Sequence, residues 1–323
     1  MLLTTVLRWL VLSLILLSGP FQSWIAGQLL GEVLSHKQFA EKYGPFALVI
    51  GASRGLGLAW ANGLAEKGLN VVLTGRVQST LEESLKELQA KHPDRKFVAV
   101  QWDFSDTSVS EQIAKRLCSD YDIGMVVVNA VFSGPSSLLL NVSIADLRRA
   151  VNLNIVSTVD IVHVFGNAMR QRQRGGGFIL VSSIVSQLGV YKMAMYSASK
   201  AFVSMLTEVL WYEGKQDNID FIAPIVGQTS TPSLDDFLNQ DTRIRLLETT
   251  PEAVVDETFR TLGRSPFVYT GWSTKLQAFF FWLVPHDVAL PWVAYFSKDF
   301  FIPELEFGKK FDEVMRSGRS SRS

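Results

Sequence analysis

The sequence is poor in the residues that build disulfide frameworks and metal centres. It contains one cysteine, Cys118, and four histidines in 323 residues. A single cysteine excludes an intramolecular disulfide and a cysteine-based metal cluster, and it is consistent with a reducing compartment. The histidines are scattered without the close spacing that is typical of metal ligands. We therefore predict a protein without a metal site.

Charge is also scarce. Charged residues make up 19% of the chain, and 31 basic residues balance 31 acidic ones. A protein without net positive charge has little attraction for phosphate backbones, so we expect no nucleic-acid partner. The apolar content of 47% is enough for a full core. The positive mean hydropathy of +0.17 indicates that some apolar surface meets lipid.

The N-terminal region has a long uncharged run. The 23 residues from Trp9 to Gly31 carry no charge, and as a helix they would extend about 34 Å, enough for a bilayer core of ~30 Å. We predict a retained membrane anchor over residues 1–34. A cleaved signal peptide and an interfacial helix are the alternatives, although the small-x-small cleavage pattern is missing. The flanking positive charges, Arg8 on one side and Lys37 and Lys42 on the other, are too few to predict the orientation of the segment in a membrane.

Residues 35–271 alternate between strand-like and helix-like segments. Most strand-like runs are apolar on both faces, which is typical of buried parallel strands covered by helices on both sides. The pattern predicts an α/β domain with a doubly wound, mostly parallel, seven-stranded sheet of the Rossmann type. The strand candidates are Phe46 to Gly51, Asn70 to Gly75, Lys96 to Asp103, Met125 to Ala130, Phe178 to Ser183, Ile219 to Ile225 and Phe267 to Gly271.

The third region, residues 272–323, is aromatic and then basic. Trp272 to Phe301 is rich in Phe, Trp and Tyr and poor in charge, and several Lys and Arg follow it. One interpretation is an aromatic surface at the headgroup level of an anionic leaflet. A core or dimer helix explains the same composition equally well.

A glycine-rich loop follows the first predicted strand, in the stretch VIGASRGLGLAWANGLAEKG. Glycines at these positions allow positive φ angles and a close approach of backbone N–H groups to a pyrophosphate at a helix N-terminus. The pattern predicts a dinucleotide-binding loop. Its residues are Gly51, Ser53, Arg54, Gly55, Leu56 and Gly57.

The end of the second predicted strand indicates which dinucleotide is bound. An NAD site carries an acid there for the ribose 2′-hydroxyl, but this chain has Thr74-Gly75-Arg76. Arg76 and Arg54 could hold a 2′-phosphate through charge-assisted hydrogen bonds. We therefore predict NADP(H) as the cofactor.

Taken together, these motifs resemble the short-chain dehydrogenase/reductase family. The chain has Gly-x-x-x-Gly-x-Gly, an Asp after the third strand, Asn-Ala after the fourth, a helix Asn, a Ser, Tyr-x-x-x-Lys in "YSASK", and a Pro…Thr segment in the family's order. The resemblance implies a nicotinamide-dependent oxidoreductase. It assigns catalysis to Asn154, Ser183, Tyr196 and Lys200, and cofactor contacts also to Asp103, Asn129, Ala130, Thr229, Tyr196 and Lys200. Asn152 competes with Asn154 for the helix position.

The spacing of the implied catalytic residues makes chemical sense. Ser183 would end the fifth strand at its carboxyl end, where ligands bind in open α/β sheets. Tyr196 and Lys200 are one helical turn apart and can face the same cleft. We expect the Lys200 ammonium and the positive charge of an oxidised nicotinamide to lower the pKa of Tyr196, which could then exchange a proton with a substrate oxygen. Ser183 would polarise that oxygen, and Asn154 would support a water relay to Lys200.

Four residues depart from the family pattern, namely Ile50, Val128, Val131 and Ile225. They lie beside the expected cofactor site, so they concern cofactor affinity and pocket shape more than proton transfer.

The sequence therefore predicts a membrane-anchored NADPH-dependent oxidoreductase for a lipophilic carbonyl or alcohol. Its catalytic domain would be cytosolic, with the endoplasmic reticulum as a candidate compartment. The anchor and the aromatic C-terminal region resemble membrane-bound 3-oxoacyl-CoA reductases and 17β-hydroxysteroid dehydrogenases. The rival hypotheses are a catalytically silent NADP-binding scaffold and a secreted enzyme released by cleavage near residue 26. The helices over Asp146 to Arg172 and Tyr196 to Tyr212 could form a homodimer interface or simply pack on the core.

Overall fold

The computed structural model describes residues 34–231 and 245–297, together with the isolated positions 13 and 21. Apart from those positions and Leu34, the predicted anchor lies outside the described residues, as do residues 232–244 and 298–323. Within the described ranges, no helix combines the length and the hydropathy that a bilayer crossing requires.

The described residues contain one sheet, and all its strand pairs are parallel. Its order is β3-β2-β1-β4-β5-β7, with β6 and β8 also paired to β7. Only Val181 separates β5 from β6, so these two form one row, and the predicted seven-stranded doubly wound sheet is confirmed. The strands are β1 Phe46–Ile50, β2 Asn70–Gly75, β3 Phe97–Gln101, β4 Ile123–Val128, β5 Gly176–Leu180, β6 Ser182–Ser183, β7 Ile219–Val226 and β8 Phe267–Tyr269.

The central strands are buried on both faces. In β1, Ala47 and Val49 belong to the core on one side of the sheet, whereas Leu48 and Ile50 belong to the core on the other side. Successive side chains of a strand point to opposite faces, so a continuous apolar run supplies both cores at once. This explains why the strand candidates lack a polar alternation.

Helices cover both faces of the sheet. The helix that begins at Pro251 has a side-chain N-cap: the Thr250 hydroxyl accepts from the N–H of Ala253, and Pro251 occupies the first position. The helices are α1 His36–Tyr43, α2 Gly55–Glu66, α3 Gln78–Lys91, α4 Thr107–Asp120, α5 Ile144–Val151, α6 Ser157–Arg172, α7 Ala194–Glu213, α8 Pro251–Thr261, α9 Trp272–Leu283 and α10 His286–Ser297.

A wide turn joins α5 to α6. Residues Asn152–Val156 form a π-helical segment, so the two helices are one continuous rod with a local bulge. Such bulges are frequent at functional sites. The hydroxyl of Ser157 donates to the carbonyl of Phe104 at 2.6 Å, which fixes this rod beside the end of β3.

The aromatic C-terminal region is helical where it is described. Helices α9 and α10 bury small residues such as Ala278 and Ala289, but they expose large ones. The exposed side chains include Trp272, Leu276, Phe280, Trp282, Leu283, Trp292 and Tyr295.

Candidate active site

The glycine loop connects β1 to α2 in a conformation that only glycine adopts easily. Gly51 has φ of 81° and Gly55 has φ of 56°, in the left-handed region that other residues rarely enter. A Cβ on Gly57 would lie 1.9 Å from the carbonyl oxygen of Gly51, so the first turn of α2 touches the loop directly. The first-turn N–H groups of α2 therefore open towards the loop, which is the geometry of an anion site.

Neighbouring strands hold the loop in place. The N–H groups of Gly51 and Ala52 both donate to the carbonyl of Thr74, at 3.1 and 2.8 Å. The amide Nδ2 of Asn129 donates to the carbonyl of Gly51 at 3.1 Å. The N–H groups of Asn129 and Ala130 both donate to the carbonyl of Ile50. The predicted residues Asn129 and Ala130 thus lie against the loop, where the sheet order reverses between β1 and β4.

The remaining loop residues have distinct surroundings. Ser53 lies over the end of β2, since a Cβ on Gly75 would come within 2.1 Å of its hydroxyl. Leu56 packs at the edge of the core, and Arg54 is exposed at the start of α2.

Three arginines surround the end of β2. Burial lowers the pKa of the half-buried Arg76, and the positive charge of Arg149 lowers this pKa further. The Asp103 carboxylate raises the same pKa, and Arg54 lowers it by a smaller amount. Asp103 also accepts from the N–H and the hydroxyl of Ser105 at 2.9 and 2.6 Å. The predicted Arg54, Arg76 and Asp103 are therefore close together. Arg149 was not predicted, since no local motif connects a residue of α5 to this strand end.

The predicted catalytic residues meet at the carboxyl ends of β5 and β6. Ser183 ends β6, and α7 carries Tyr196 and Lys200. Ser183 lies near enough to Tyr196 to act on the pKa of its phenol. Lys200 is buried, with 6% of the residue exposed, and its ammonium donates to the carbonyl of Val181 at 2.7 Å. Ser183, Tyr196 and Lys200 therefore form one cluster.

The protonation of this cluster differs from the prediction. Desolvation raises the pKa of the half-buried Tyr196, and the neighbouring Ser183 acts in the opposite direction with a smaller effect. Burial lowers the pKa of Lys200 to about 8. The Lys200 Nζ atom lies 5.7 Å from the centroid of the Tyr196 ring and binds a backbone carbonyl. In the protein alone, burial therefore outweighs any lowering of the Tyr196 pKa by Lys200.

The buried Asn154 lies in the π-helical segment and faces the site. Its Oδ1 accepts from the N–H of Phe132 at 2.9 Å, and its Nδ2 donates to the carbonyl of Phe132 at 2.8 Å. The same Nδ2 donates to the hydroxyl of Ser199 at 3.2 Å, and that hydroxyl donates to the carbonyl of Tyr196 at 2.9 Å. Between the two asparagines, Asn154 is thus the one connected to the Tyr196 helix. Ser199 lies inside "YSASK", but nothing in its spacing identified it.

A small cavity connects Asn154 to Lys200. Its volume of about 10 Å³ is room for roughly one water molecule. Two of the residues that depart from the family pattern, Val128 and Val131, contribute to its wall, whereas Ile50 and Ile225 are fully buried in the core.

Thr229 lies beyond the end of β7. It is buried, pairs with Thr249 in an isolated parallel bridge, and directs its hydroxyl to the carbonyl of Gly227 at 3.4 Å.

Known proteins share these features. The family model described as short chain dehydrogenase matches residues 45–242. A 7beta-hydroxysteroid dehydrogenase of Clostridium sardiniense is 28% identical over 72% of this chain and 87% of its own length. A very-long-chain 3-oxoacyl-CoA reductase-like protein of Arabidopsis thaliana is 27% identical over 84% of this chain and 86% of its own. The human inactive hydroxysteroid dehydrogenase-like protein 1 is 28% identical over 82% of this chain and 80% of its own.

A solved structure supports the same assignment. A structure reported for the stereoselectivity of 7beta-hydroxysteroid dehydrogenase superposes with a TM-score of 0.72 and 26% identity, covering 79% of this chain and 98% of the other. The chain is a member of the short-chain dehydrogenase family of oxidoreductases, whose fold binds NAD or NADP.

Proposed function

We propose that the protein is an NADPH-dependent reductase that interconverts a carbonyl and a secondary alcohol on a lipophilic substrate. The observation that carries this proposal is the cluster of Ser183, Tyr196 and Lys200 at the carboxyl edge of the sheet. Like the glycine loop after β1, it lies where open α/β sheets bind their ligands.

The loop residues fit NADP(H). The positive φ angles of Gly51 and Gly55, and the contact that a Cβ on Gly57 would make, fit a loop that brings backbone close to a pyrophosphate. Arginine in place of an acid at residue 76 supports a 2′-phosphate over a free hydroxyl. When bound, the nicotinamide supplies the hydride.

The protein's own groups provide the proton. Because the pKa of Tyr196 is raised, its phenol is protonated at neutral pH and can donate to a carbonyl oxygen as hydride arrives. Ser183 would hydrogen-bond that same oxygen. Lys200 is mainly protonated at pH 7, since its pKa is about 8, and the small cavity beside Asn154 is suited to a water that returns the proton. A protonated Tyr196 is the form that carbonyl reduction requires.

The substrate class rests on the relatives and on the surface beside the site. The relatives are named for hydroxysteroids and 3-oxoacyl-CoA. A second, small cavity beside the loop after β4 has a mixed wall, with apolar residues such as Leu139 and Met195 and the charged Asp146 and Lys192. Leu140 on this loop is 96% exposed. Exposed apolar side chains beside the site suit a lipophilic substrate.

Association with a membrane and with a second copy are further parts of the proposal. Exposed tryptophans on α9 and α10 suit the headgroup region of a bilayer. Exposed Val159 on α6, and Met205 and Val209 on α7, suit a contact between two copies.

A catalytically silent NADP-binding protein is the second candidate, because one relative of comparable identity is named inactive. The presence of Ser183, Tyr196, Lys200 and Asn154 in one connected site argues against it, since a scaffold does not need all of them.

The test compares Tyr196→Phe with Tyr212→Phe in the full-length protein. Tyr212 lies on the same helix but is 64% exposed, so it is a matched control for loss of a hydroxyl. NADPH oxidation is measured with 3-oxoacyl-CoA and steroid ketones, and NADP⁺ binding by calorimetry. We expect Tyr196→Phe to lose about 10²–10⁴-fold in rate while it keeps its NADP⁺ affinity. Full activity of Tyr196→Phe would refute the mechanism, and NADP⁺ binding by wild type without any turnover would favour the silent protein.

A further inference from the structure

We propose that Arg149 is a specificity-determining residue that binds the 2′-phosphate of NADP(H) together with Arg54 and Arg76. This inference rests on the proposed preference for NADP(H). It adds a residue from α5, an element in which the sequence indicated no nucleotide contact.

The fold fixes the position of the Arg149 guanidinium. Its carbon lies 5.0 Å from the centroid of the Phe132 ring, and the next residue, Ala150, is buried in the same core as Phe132. Both backbone polar groups of Phe132 are held by the side chain of Asn154, at 2.9 and 2.8 Å. The backbone of the residue whose ring lies beside the guanidinium is therefore fixed by Asn154.

The rod that carries Arg149 is also fixed against the end of β3. Ser157 donates to the carbonyl of Phe104, which is the residue after Asp103. Trp102 and Phe104 stack on each other, with ring centroids 4.1 Å apart, in the core that contains Phe132. This packing brings α5 to the strand ends where Arg76 and Asp103 lie.

The local charge balance favours a dianion. The charge of Arg149 affects Arg76 more strongly than Asp103 or Arg54 does. The charges that act on Arg76 are those of Arg149, Asp103 and Arg54, in a chain whose net charge is zero. A ribose 2′-phosphate carries about −1.5 to −2 at neutral pH, and such an anion would relieve the repulsion among the three guanidiniums. Stacking on a ring engages the flat face of a guanidinium, whereas a phosphate binds at its edge, so Arg149 can do both.

A purely structural role is the competing explanation. Arg149 lies in the last turn of α5, where a cation interacts favourably with the helix dipole. That role, and packing on Phe132, would affect stability but would not distinguish a nucleotide with a 2′-phosphate from one without it.

The experiment uses two ligands that differ only in this phosphate, adenosine 2′,5′-bisphosphate and 5′-AMP. Calorimetric titrations compare wild type, Arg149→Gln, Arg149→Lys and Arg148→Gln in the full chain. Arg148 is the matched control, because it is the preceding residue of α5 and is exposed. We expect Arg149→Gln to bind the bisphosphate about tenfold more weakly and 5′-AMP within about twofold of wild type. Arg149→Lys should bind the bisphosphate about threefold more weakly than wild type, because lysine keeps the positive charge but lacks the paired N–H donors of a guanidinium.

The outcomes separate the inference from the function on which it rests. If wild type favours the bisphosphate and Arg149→Gln keeps the same ratio as Arg148→Gln, Arg149 does not bind the phosphate. An equal loss of affinity for both ligands would also overturn the inference. Arg149 would then contact the adenosine or stabilise the fold instead of binding the phosphate. If wild type binds both ligands equally, the NADP(H) preference itself is wrong. Should thermal melting show Arg149→Gln to be unfolded, the ligand ratio of Arg149→Lys decides the question.

Discussion

Replacement of Gly57 by alanine tests the geometry of the glycine loop. The added Cβ would lie 1.9 Å from the carbonyl oxygen of Gly51, 2.8 Å from its carbonyl carbon and 3.0 Å from the Nδ2 of Asn129. Two of these atoms are backbone and cannot rotate away, so the turn itself must shift. Overpacking typically costs about 1–3 kcal/mol, and this overlap belongs at the upper end. Alanine in a helix regains about 1 kcal/mol, which leaves a net loss of about 2 kcal/mol.

The matched control is Gly166→Ala in α6. A Cβ at Gly166 would meet nothing within 4 Å, so the helix gains up to about 1 kcal/mol without a clash. At about 2–4 °C per kcal/mol for a domain of this size, we expect Gly57→Ala to melt about 4–8 °C below wild type and Gly166→Ala about 2–4 °C above it. Thermal unfolding followed by circular dichroism measures both.

Nucleotide binding provides the second assay of the same pair. Movement of the Gly51 carbonyl also displaces the loop N–H groups, so Gly57→Ala should bind NADP⁺ at least about tenfold more weakly in calorimetry. Gly166→Ala should bind it as wild type does. If Gly57→Ala were as stable as Gly166→Ala and bound NADP⁺ normally, the close contact between α2 and the loop would not exist in solution.

Two further predictions concern buried ionisable groups. Burial lowers the pKa of Lys200 from 10.5 to about 8, so between these values the unfolded chain holds more protons and stability rises with pH. Relative to Lys200→Met, wild type should therefore gain about 2 kcal/mol in unfolding free energy between pH 7 and about pH 9.5; an unchanged difference in denaturant titrations would contradict this. Burial raises the pKa of Cys118 to about 11, so its alkylation rate, followed by mass spectrometry, should keep rising about tenfold per pH unit through pH 10. A plateau near pH 9 would show an exposed thiol instead.

The parts of the fold that were predictable depend on local signals. Continuous apolar runs predicted the strands because a doubly covered parallel sheet buries both faces. The glycine loop and the Tyr196 and Lys200 pair were identified because turn geometry and helix spacing place them within a few residues of one another.

The parts that were missed depend on tertiary packing. Arg149 lies 73 positions after Arg76 in the chain, and only the sheet order and the α5–α6 rod bring the two together. The direction of the Tyr196 pKa also could not be read from spacing. One-turn separation suggested that the ammonium would dominate, but desolvation is the larger effect and Lys200 is engaged by Val181.

The π-helical segment limits which mutations this protein can accept. Arg149 and Asn154 lie five residues apart on one rod, so the element that would recognise the adenosine half of a nucleotide also positions the proton-transfer half. A single insertion or deletion within residues 149–154 would rotate one end relative to the other by about 100°. Nucleotide choice and turnover should therefore be more sensitive to a change in the number of residues between Arg149 and Asn154 than to side-chain exchange at the intervening positions.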